Sequence, residues 1–417
     1  MISDACPGVV RLHEAADGHL ARVRLPGGMI DAAGLRAVAA AASRGNGIVE
    51  LTSRAGLQVR GLRADGAGHV ACVLASGGLL PSVAHERVRN IVAPPLGGRA
   101  RGALADTDAV VERLDHDLCA DRDLVTLPGR FLFAVDDGTR ALTPLAADVE
   151  LAAERDGFRL ALAGRATELM LSAESAPGAA IAAARAFVAL LATEAPNAWR
   201  VGDIPRAGRR LAERMGLPLQ EQSQGAPAPA SAGAAGRRPG VIDQRDGRAA
   251  VSALPPLGRL EPDQLLALAE LTAPGAAVRV SPWRTVTFVD VPAPDAPGLA
   301  DALAAIGLVV EGGSGWAGLS ACAGLGACSR ARADVRAAAA LRAPRRGDDA
   351  PREHWSGCER RCGEPRDAGV TVVATAAGLL VDRRGGETDT VATAREADTV
   401  ATAAEAVELL ATPGVSA

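Results

Sequence analysis

Lysine and tyrosine are absent from this 417-residue chain, and aromatic side chains make up only 2% of it. Without lysine there is no Schiff-base chemistry and no P-loop lysine, and every basic residue other than histidine is arginine. Genome base composition readily produces such a bias, so it removes mechanisms without choosing one. Five Phe and four Trp leave Ala, Val and Leu to fill the interior through many small contacts. Charge is nearly balanced, 45 basic against 49 acidic residues with a net charge of -4, which gives no reason to expect nucleic acid or an anionic membrane as partner. There is no apolar run of about 18 residues to span a bilayer and no signal-peptide pattern. Residues 179–192 form an Ala-rich helix pattern broken by Arg185.

Cysteine is scarce as well. Of seven, Cys6, Cys72 and Cys119 are widely scattered, unlike the even, dense framework of a small secreted protein, and this predicts reduced thiols in the cytoplasm. The length allows about two to four domains with substantial cores.

Two short strands, 8–13 and 20–25, are expected at the start, then a helix N-capped by Asp31 and stopped at Gly45 or Gly47, then the strands "IVELTS" and "LQVRGL" around a turn at 54–56. Residues 255–291 repeat that order, helix, strand, turn, strand, with Arg54 in one turn and Arg284 in the other. Such units point to an α+β chain. Between them, 79–90 reads as a helical piece, "FRLALAG" and "ATELMLS" as a hairpin, and 177–193 as a helix. Residues 220–247, rich in Gln, Pro, Ala, Gly and Ser, read as a linker or mobile loop. A helix at 298–307, another at 331–341, two strands in "GVTVVATAAGLLVDRR" and a helix at 402–410 complete the chain.

The remaining four cysteines crowd into "SACAGLGACSRARAD" and "HWSGCERRCGEP". Cys322 and Cys328 are too far apart in sequence for one helix face, so the backbone between them must bend, and Gly324 and Gly326 permit it. Cys358 and Cys362 are spaced for one helical turn or a tight loop. Together they match the four thiolates of a [4Fe–4S] cluster. Zinc also takes four thiolates, although a five-residue first gap is poor for it; unrelated thiols and two disulfides are further accounts, and spacing leaves the choice open.

C-x5-C followed by C-x3-C resembles the cluster motif of the sulfite and nitrite reductase superfamily. "LTSRAGLQVRG", "RVRNIVAPP" and "LPGRFLFAVDDG" resemble, in order, further blocks of the same enzymes. Within that superfamily "CPGVVRLHEA", "ARVRLPGGMI", "VSPWR" and "HWSGC" are similar to blocks of the precorrin-3B synthase family. The resemblance implies a duplicated nitrite/sulfite reductase-like architecture: ferredoxin-like half-domains at 1–76 and 248–312, a tetrapyrrole-binding subdomain at 77–219, the linker at 220–247, and a cluster-binding subdomain at 313–417. It implies an iron–sulfur monooxygenase of aerobic cobalamin biosynthesis that hydroxylates precorrin-3A with molecular oxygen and closes a γ-lactone. Its cofactors would be a [4Fe–4S] cluster on Cys322, Cys328, Cys358 and Cys362 and a separate non-haem iron. "GLGACS" enters a cysteine loop instead of following a strand, so dinucleotide binding of that kind is not expected and a separate reductase would supply electrons.

Arg54, Arg60, Arg89, Arg130 and Arg284 would bind substrate carboxylates, since guanidinium forks pair with them bidentately, and Trp283 would lie against the macrocycle or fill a core. His13 beside Glu14 does not make a facial triad, and His354 lies near the cluster as a hydrogen-bonding or capping group. A sirohaem-dependent sulfite or nitrite reductase is the alternative, weakened by the missing lysines because arginine is a poor proton donor. A non-catalytic tetrapyrrole or Fe–S carrier is the third reading.

Overall fold

A computed structural model of the protein describes residues 6–221, 236–347, 349–384, 395–400 and 403–411. Alternating apolar strands and short Ala/Leu-rich helices recur in the same order in each half of the chain. The first half runs β1 (His13–Ala15), β2 (Gly18–Val23), β3 (Met29–Asp31), α1 (Ala32–Ala42), β4 (Val49–Leu51), β5 (Leu57–Leu62) and α2 (Ala67–Ser76). It continues with β6 (Ile91–Val92), α3 (Asp108–Ala120), β7 (Phe133–Asp136), β8 (Val149–Glu154), β9 (Gly157–Leu162), β10 (Arg165–Leu171), α4 (Ala176–Glu194) and α5 (Ala207–Arg214). The second half opens with β11 (Gly240–Asp243), β12 (Ala249–Ala253), β13 (Arg259–Leu260), α6 (Pro262–Leu271), β14 (Ala277–Val280), β15 (Val286–Val291) and α7 (Ala296–Ala305). It closes with β16 (Leu319–Ala321), α8 (Val335–Arg342), β17 (Glu353–Ser356), β18 (Val370–Thr375), β19 (Gly378–Arg384), β20 (Arg395–Val400) and α9 (Ala403–Ala411).

Among the described residues, four five-stranded sheets result. Two are the repeated helix-backed units, ordered β1-β2-β5-β4-β13 and β11-β12-β15-β14-β3. Each takes its last strand from the other half: β3 pairs with β14 and β13 with β4. That exchange leaves α1 packed on α6 and one shared apolar core, including Leu35, Val38, Val59, Leu265, Leu268 and Phe288. The other two sheets, β10-β9-β8-β7-β6 and β16-β17-β18-β19-β20, have the same pattern of three parallel strands followed by an antiparallel pair.

Register shows how far the duplication extends. Val23 faces Leu57 and Arg22 faces Gln58 in the first sheet; Ala253 faces Val286 and Ser252 faces Thr287 in its counterpart. Both ladders then shift register, and a left-handed residue occupies the same place in each strand, Gly61 at φ 68° and Asp290 at φ 60°. An extra residue of this kind is a β-bulge, which bends the strand locally; here both bulged strands are the central ones of their sheets. The turns match too. Thr52 Oγ1 accepts from the amides of Arg54 and Gly56 at 3.3 and 3.1 Å, and Ser281 Oγ accepts from those of Trp283 and Thr285 at 3.2 Å each.

Asp31 caps α1 as expected, accepting from the Gly34 amide at 2.7 Å. Other expectations are corrected. The first strands lie at His13–Ala15 and Gly18–Val23. Residues 79–90 form turns and bends instead of a helix, because their side chains serve distant backbone: Glu86 accepts from the amides of Val9 and Val10, both at 2.6 Å, and His85 bonds the Asp121 carbonyl at 2.8 Å. The helix expected at 331–341 starts only at Val335, where Asp334 takes the N-cap place and accepts from the Ala337 amide at 3.1 Å, while the residues before it stay with the cysteine loops, the Arg332 amide donating to the Gly357 carbonyl at 2.8 Å. Of the expected linker at 220–247, residues 222–235 lie outside the described residues, while β11 pairs with β12. Helix α4 alone among the described residues is long and apolar enough to cross a membrane. Here it is a core helix, burying Ala180, Ala184, Phe187 and Leu190 and bringing Arg185 to Asp121.

Candidate functional site

Strands β16 and β17 are parallel neighbours, and both cysteine loops leave their carboxyl ends, the edge where such sheets form crevices. The Cys322 amide donates to the Trp355 carbonyl at 2.9 Å and the Cys328 amide to that of Gly324 at 3.0 Å. Gly324 and Gly326 have φ of 73° and 86°, the left-handed bend that the spacing demanded. The second loop approaches through Gly357, whose amide donates to Cys322 Sγ at 3.1 Å. None of the seven cysteines is in a disulfide.

Burial pushes the Cys362 thiol above its ordinary value, Arg360 opposes this, and Cys322, Cys358 and Cys328 raise it further. Yet among the described residues no three Cys, His, Asp or Glu side chains converge on one ion position. Zinc would need such convergence, with bonds of about 2.3 Å to each sulfur. A [4Fe–4S] cube assigns its four thiolates to four different irons and so needs no such convergence on one point; of the four thiols, Cys322 and Cys362 line the adjacent cavity. For a separate non-haem iron the described residues offer no three-donor set.

Beside the loops lies a cavity of about 430 Å³. Arg22, Arg24, Arg54, Arg60, Arg130, Arg284 and Arg336 line it, together with Glu50, Gln58, Cys6, Cys322 and Cys362. Four of the five arginines expected to face substrate are therefore present. Arg54 has one long contact, to the Gly129 carbonyl at 3.4 Å; burial, then Arg200 and Arg22, lower its guanidinium to about 10. Burial, then Arg352, lower that of Arg284 to about 10. Both stay charged at neutral pH and both gain from an anion. Arg130 is exposed and lies 5.7 Å from the ring centre of Trp199.

Arg60 is not free for substrate. It pairs with Asp17 at 2.9 and 2.8 Å and donates to the Ala327 carbonyl at 2.8 Å, so it ties the first cysteine loop down. Arg89 lies outside the cavity, 5% exposed, with both ends of its fork on Asp115 at 2.7 Å. Trp283, 8% exposed, packs among Val92, Leu132, Ala134 and Leu142 under Arg237, which sits 4.8 Å from its ring centre. It also borders a second cavity of about 230 Å³ on the far side of Arg284. Arg54 and Trp283 occupy equivalent turn positions, so the two turn arginines are offset by one residue. His354 is buried and bonded to Ser320 at 2.9 Å; burial and then Arg284 push its imidazole down to about 3, leaving it neutral.

Sequence reasoning missed Arg22, Arg24, Glu50, Gln58 and Arg336. The signal for the first two was the alternation "ARVRL", which puts Arg22 near the end of β2 and Arg24 just beyond it on the same side of the extended chain.

Comparison with known proteins follows the same division. The family described as nitrite/sulfite reductase ferredoxin-like half domain matches residues 13–71 and again 242–306. The chain carries that half domain twice. The solved structure of the Mycobacterium tuberculosis NirA protein aligns with a TM-score of 0.73 over 94% of this chain and 79% of that one, at 18% identity, which is a likeness of fold. A curated precorrin-3B synthase from Sinorhizobium sp is 31% identical over 151 residues, 36% of this chain. The match spans about a third of that relative, 32% of its length. In nitrite/sulfite reductase terms, the two half domains supply the two sheets that exchange strands, and the cavity opens between the first of them and the cysteine loops of the second half.

Proposed function

We propose that this chain is an iron–sulfur oxidoreductase of the precorrin-3B synthase kind, hydroxylating precorrin-3A and closing the γ-lactone. The observation that carries the reading is a lysine-free cavity lined by arginines that directly adjoins Cys322 and Cys362. A precorrin bears many acetate and propionate arms, and guanidinium forks select carboxylates. Arg54 and Arg284, both lowered by burial and by neighbouring arginines, would receive two of those arms; Arg22 and Arg24 extend the cationic wall. Cys322, Cys328, Cys358 and Cys362 would hold a [4Fe–4S] cluster, which when bound passes electrons singly from a separate reductase. Hydroxylation by O2 puts one oxygen atom into substrate and one into water, consuming two electrons and two protons. The buried neutral His354 and the close-packed Trp355 beneath the loops limit water there. Reduced thiols agree with a cytoplasmic setting.

A second reading, a sirohaem-dependent sulfite or nitrite reductase, draws on the likeness of fold to NirA. Arginines are poor proton donors, which weakens it, since those reductions consume many protons. A non-catalytic tetrapyrrole or Fe–S carrier is the remaining alternative. Protein purified without oxygen separates them. We expect iron and acid-labile sulfide in near-equal amounts, a broad visible shoulder without Soret or α bands, and oxygen uptake that requires precorrin-3A and an electron donor. Intense Soret and α bands would turn the assignment to sirohaem, and a loaded protein that takes up no oxygen with precorrin-3A would end the synthase reading.

A further inference from the structure

We propose that Glu50 is the positioning residue that fastens the Cys322–Cys328 loop to the cavity floor, acting through two arginines that each hold one carbonyl of that loop. Glu50 stands on β4, between β5 and β13, and among the residues lining the cavity it is the one carboxylate. One of its oxygens accepts from Arg336 Nη2. The other accepts from Gln58 Nε2 at 3.3 Å and Arg60 Nη1 at 3.5 Å. Each arginine then reaches the loop: Arg336 Nε donates to the Cys322 carbonyl at 2.9 Å, and Arg60 Nη2 donates to the carbonyl of Ala327, next to Cys328, at 2.8 Å. The two ends of the loop are thus held from a single carboxylate almost 300 residues away in sequence, as judged by the 286-residue separation of Glu50 and Arg336.

The charge is the working feature. Burial pushes the Glu50 carboxyl up, but Arg336 and Arg60 outweigh it and keep the group below its ordinary value, hence ionised. Gln58 extends the same network to Arg22, accepting from its Nη2 at 2.6 Å, so floor and loop share one hydrogen-bond network.

An independent observation comes from the second half. The residue at Glu50's place on β14 is Arg279, because Glu50 faces Gln58 as Arg279 faces Thr287. Arg279 holds Asp108, at the start of α3, through two bonds of 2.7 and 2.6 Å, and Asp108 in turn accepts from Arg99 of the loop that follows β6, at 3.0 Å. The same fastener therefore recurs with its charges exchanged, strand acid to helix base in one half and strand base to helix acid in the other.

The inference rests on the four cysteines serving as one ligand set, but its main test is made on metal-free protein. Brief exposure to iodoacetamide followed by mass spectrometry gives an alkylation rate for each cysteine. In Glu50→Gln, which keeps the volume and removes the charge, Cys322 and Cys328 should react about ten-fold faster, the scale of one lost charge-assisted hydrogen bond, while Cys358 keeps its rate. Arg336→Gln should accelerate Cys322 alone and Arg60→Gln Cys328 alone; these two variants carry the test if Glu50→Gln fails to fold. In iron- and sulfide-loaded protein Glu50→Gln should also raise the midpoint potential, since a negative charge beside the ligands has gone. Unchanged rates in the folded variants, or equal acceleration of all four cysteines, would overturn the proposal. Failure of the unaltered protein to take up iron and sulfide overturns the proposed function instead, and leaves the alkylation rates to be read on their own.

Discussion

Arg22 and Gln58 face each other across β2 and β5, and at the equivalent places of β12 and β15 stand Ser252 and Thr287, whose hydroxyls are 3.0 Å apart. The surrounding residues diverge in the same sense. Leu20 and Arg60 on the first face correspond to Ala250 and Val289 on the second, and there Leu96 and Ala100, from the loop after β6, pack directly on the sheet. Register places Pro94 of that loop where the second half has Cys322, and Gly138 where it has Cys358. In the first half Asp136 draws the loop inward, accepting from the amides of Gly138, Arg140 and Leu142 at 2.9, 2.9 and 3.3 Å. In the second half, thiols take those loop positions and the charged floor opposite stays open. The duplicated frame thus offers two equivalent crevices, and small side-chain differences close one with apolar packing and leave the other open.

This contrast can be broken most severely at the thiols. Replacing Cys358 by Ser should abolish iron and sulfide retention, whereas Cys72→Ser, outside the loops, should leave it intact; metal and sulfide analysis after anaerobic reconstitution decides. On the closed side, Leu96→Ala removes a fully buried plug and should cost about 3 kcal/mol in denaturant unfolding, with no change in iron content. An open-side counterpart is Arg54→Gln or Arg284→Gln, each expected to weaken binding of a tetrapyrrole polycarboxylate by roughly ten- to hundred-fold with little loss of stability. Arg89→Gln should do the reverse, because its partner Asp115 would be left unpaired in a largely buried site.

The smallest effect sharpens the comparison electrostatically. Glu150 stands where the second half has Thr371. Burial, then Asp136, raises its carboxyl to about 7, against the pull of Arg140. An acid whose folded value is raised binds its proton more tightly in the native state, so its contribution is present below the unfolded value and is lost as pH rises through about 7. Glu150→Gln should therefore stabilise the protein by about 1 kcal/mol at pH 8, well below the full value of the shift because the side chain is partly exposed and screened, and change nothing near pH 4. Equal effects at both pH values would mean that the shift is absent.

Periodicity and turn chemistry made much of this readable in advance. The helix after Asp31, the hairpin of β9 and β10, the paired strands β18 and β19, and the glycine bend between Cys322 and Cys328 all follow from local rules. So does the repeat, since Thr52 and Ser281 build the same turn from their own hydroxyls. Residues 79–90 resisted local reading because Glu86 and His85 bond to backbone more than 30 residues away, at separations of 77 and 36. Motif resemblance places Arg60 and Arg89 on a substrate surface, but the partners that claim them, Asp17, Ala327 and Asp115, come from other elements. Glu50 gave no local signal at all.

From sequence alone came the duplication, the pairing of four cysteines in two short loops and the lysine-free, arginine-rich composition, because each is carried by residue type and short-range spacing. Tertiary structure decided which arginines remain available, which crevice stays open and which carboxylate holds the cysteine loop. Those properties depend on pairings between residues tens to hundreds of positions apart, and a hydrogen bond or an ion pair is fixed by distance in space, which spacing along the chain does not encode.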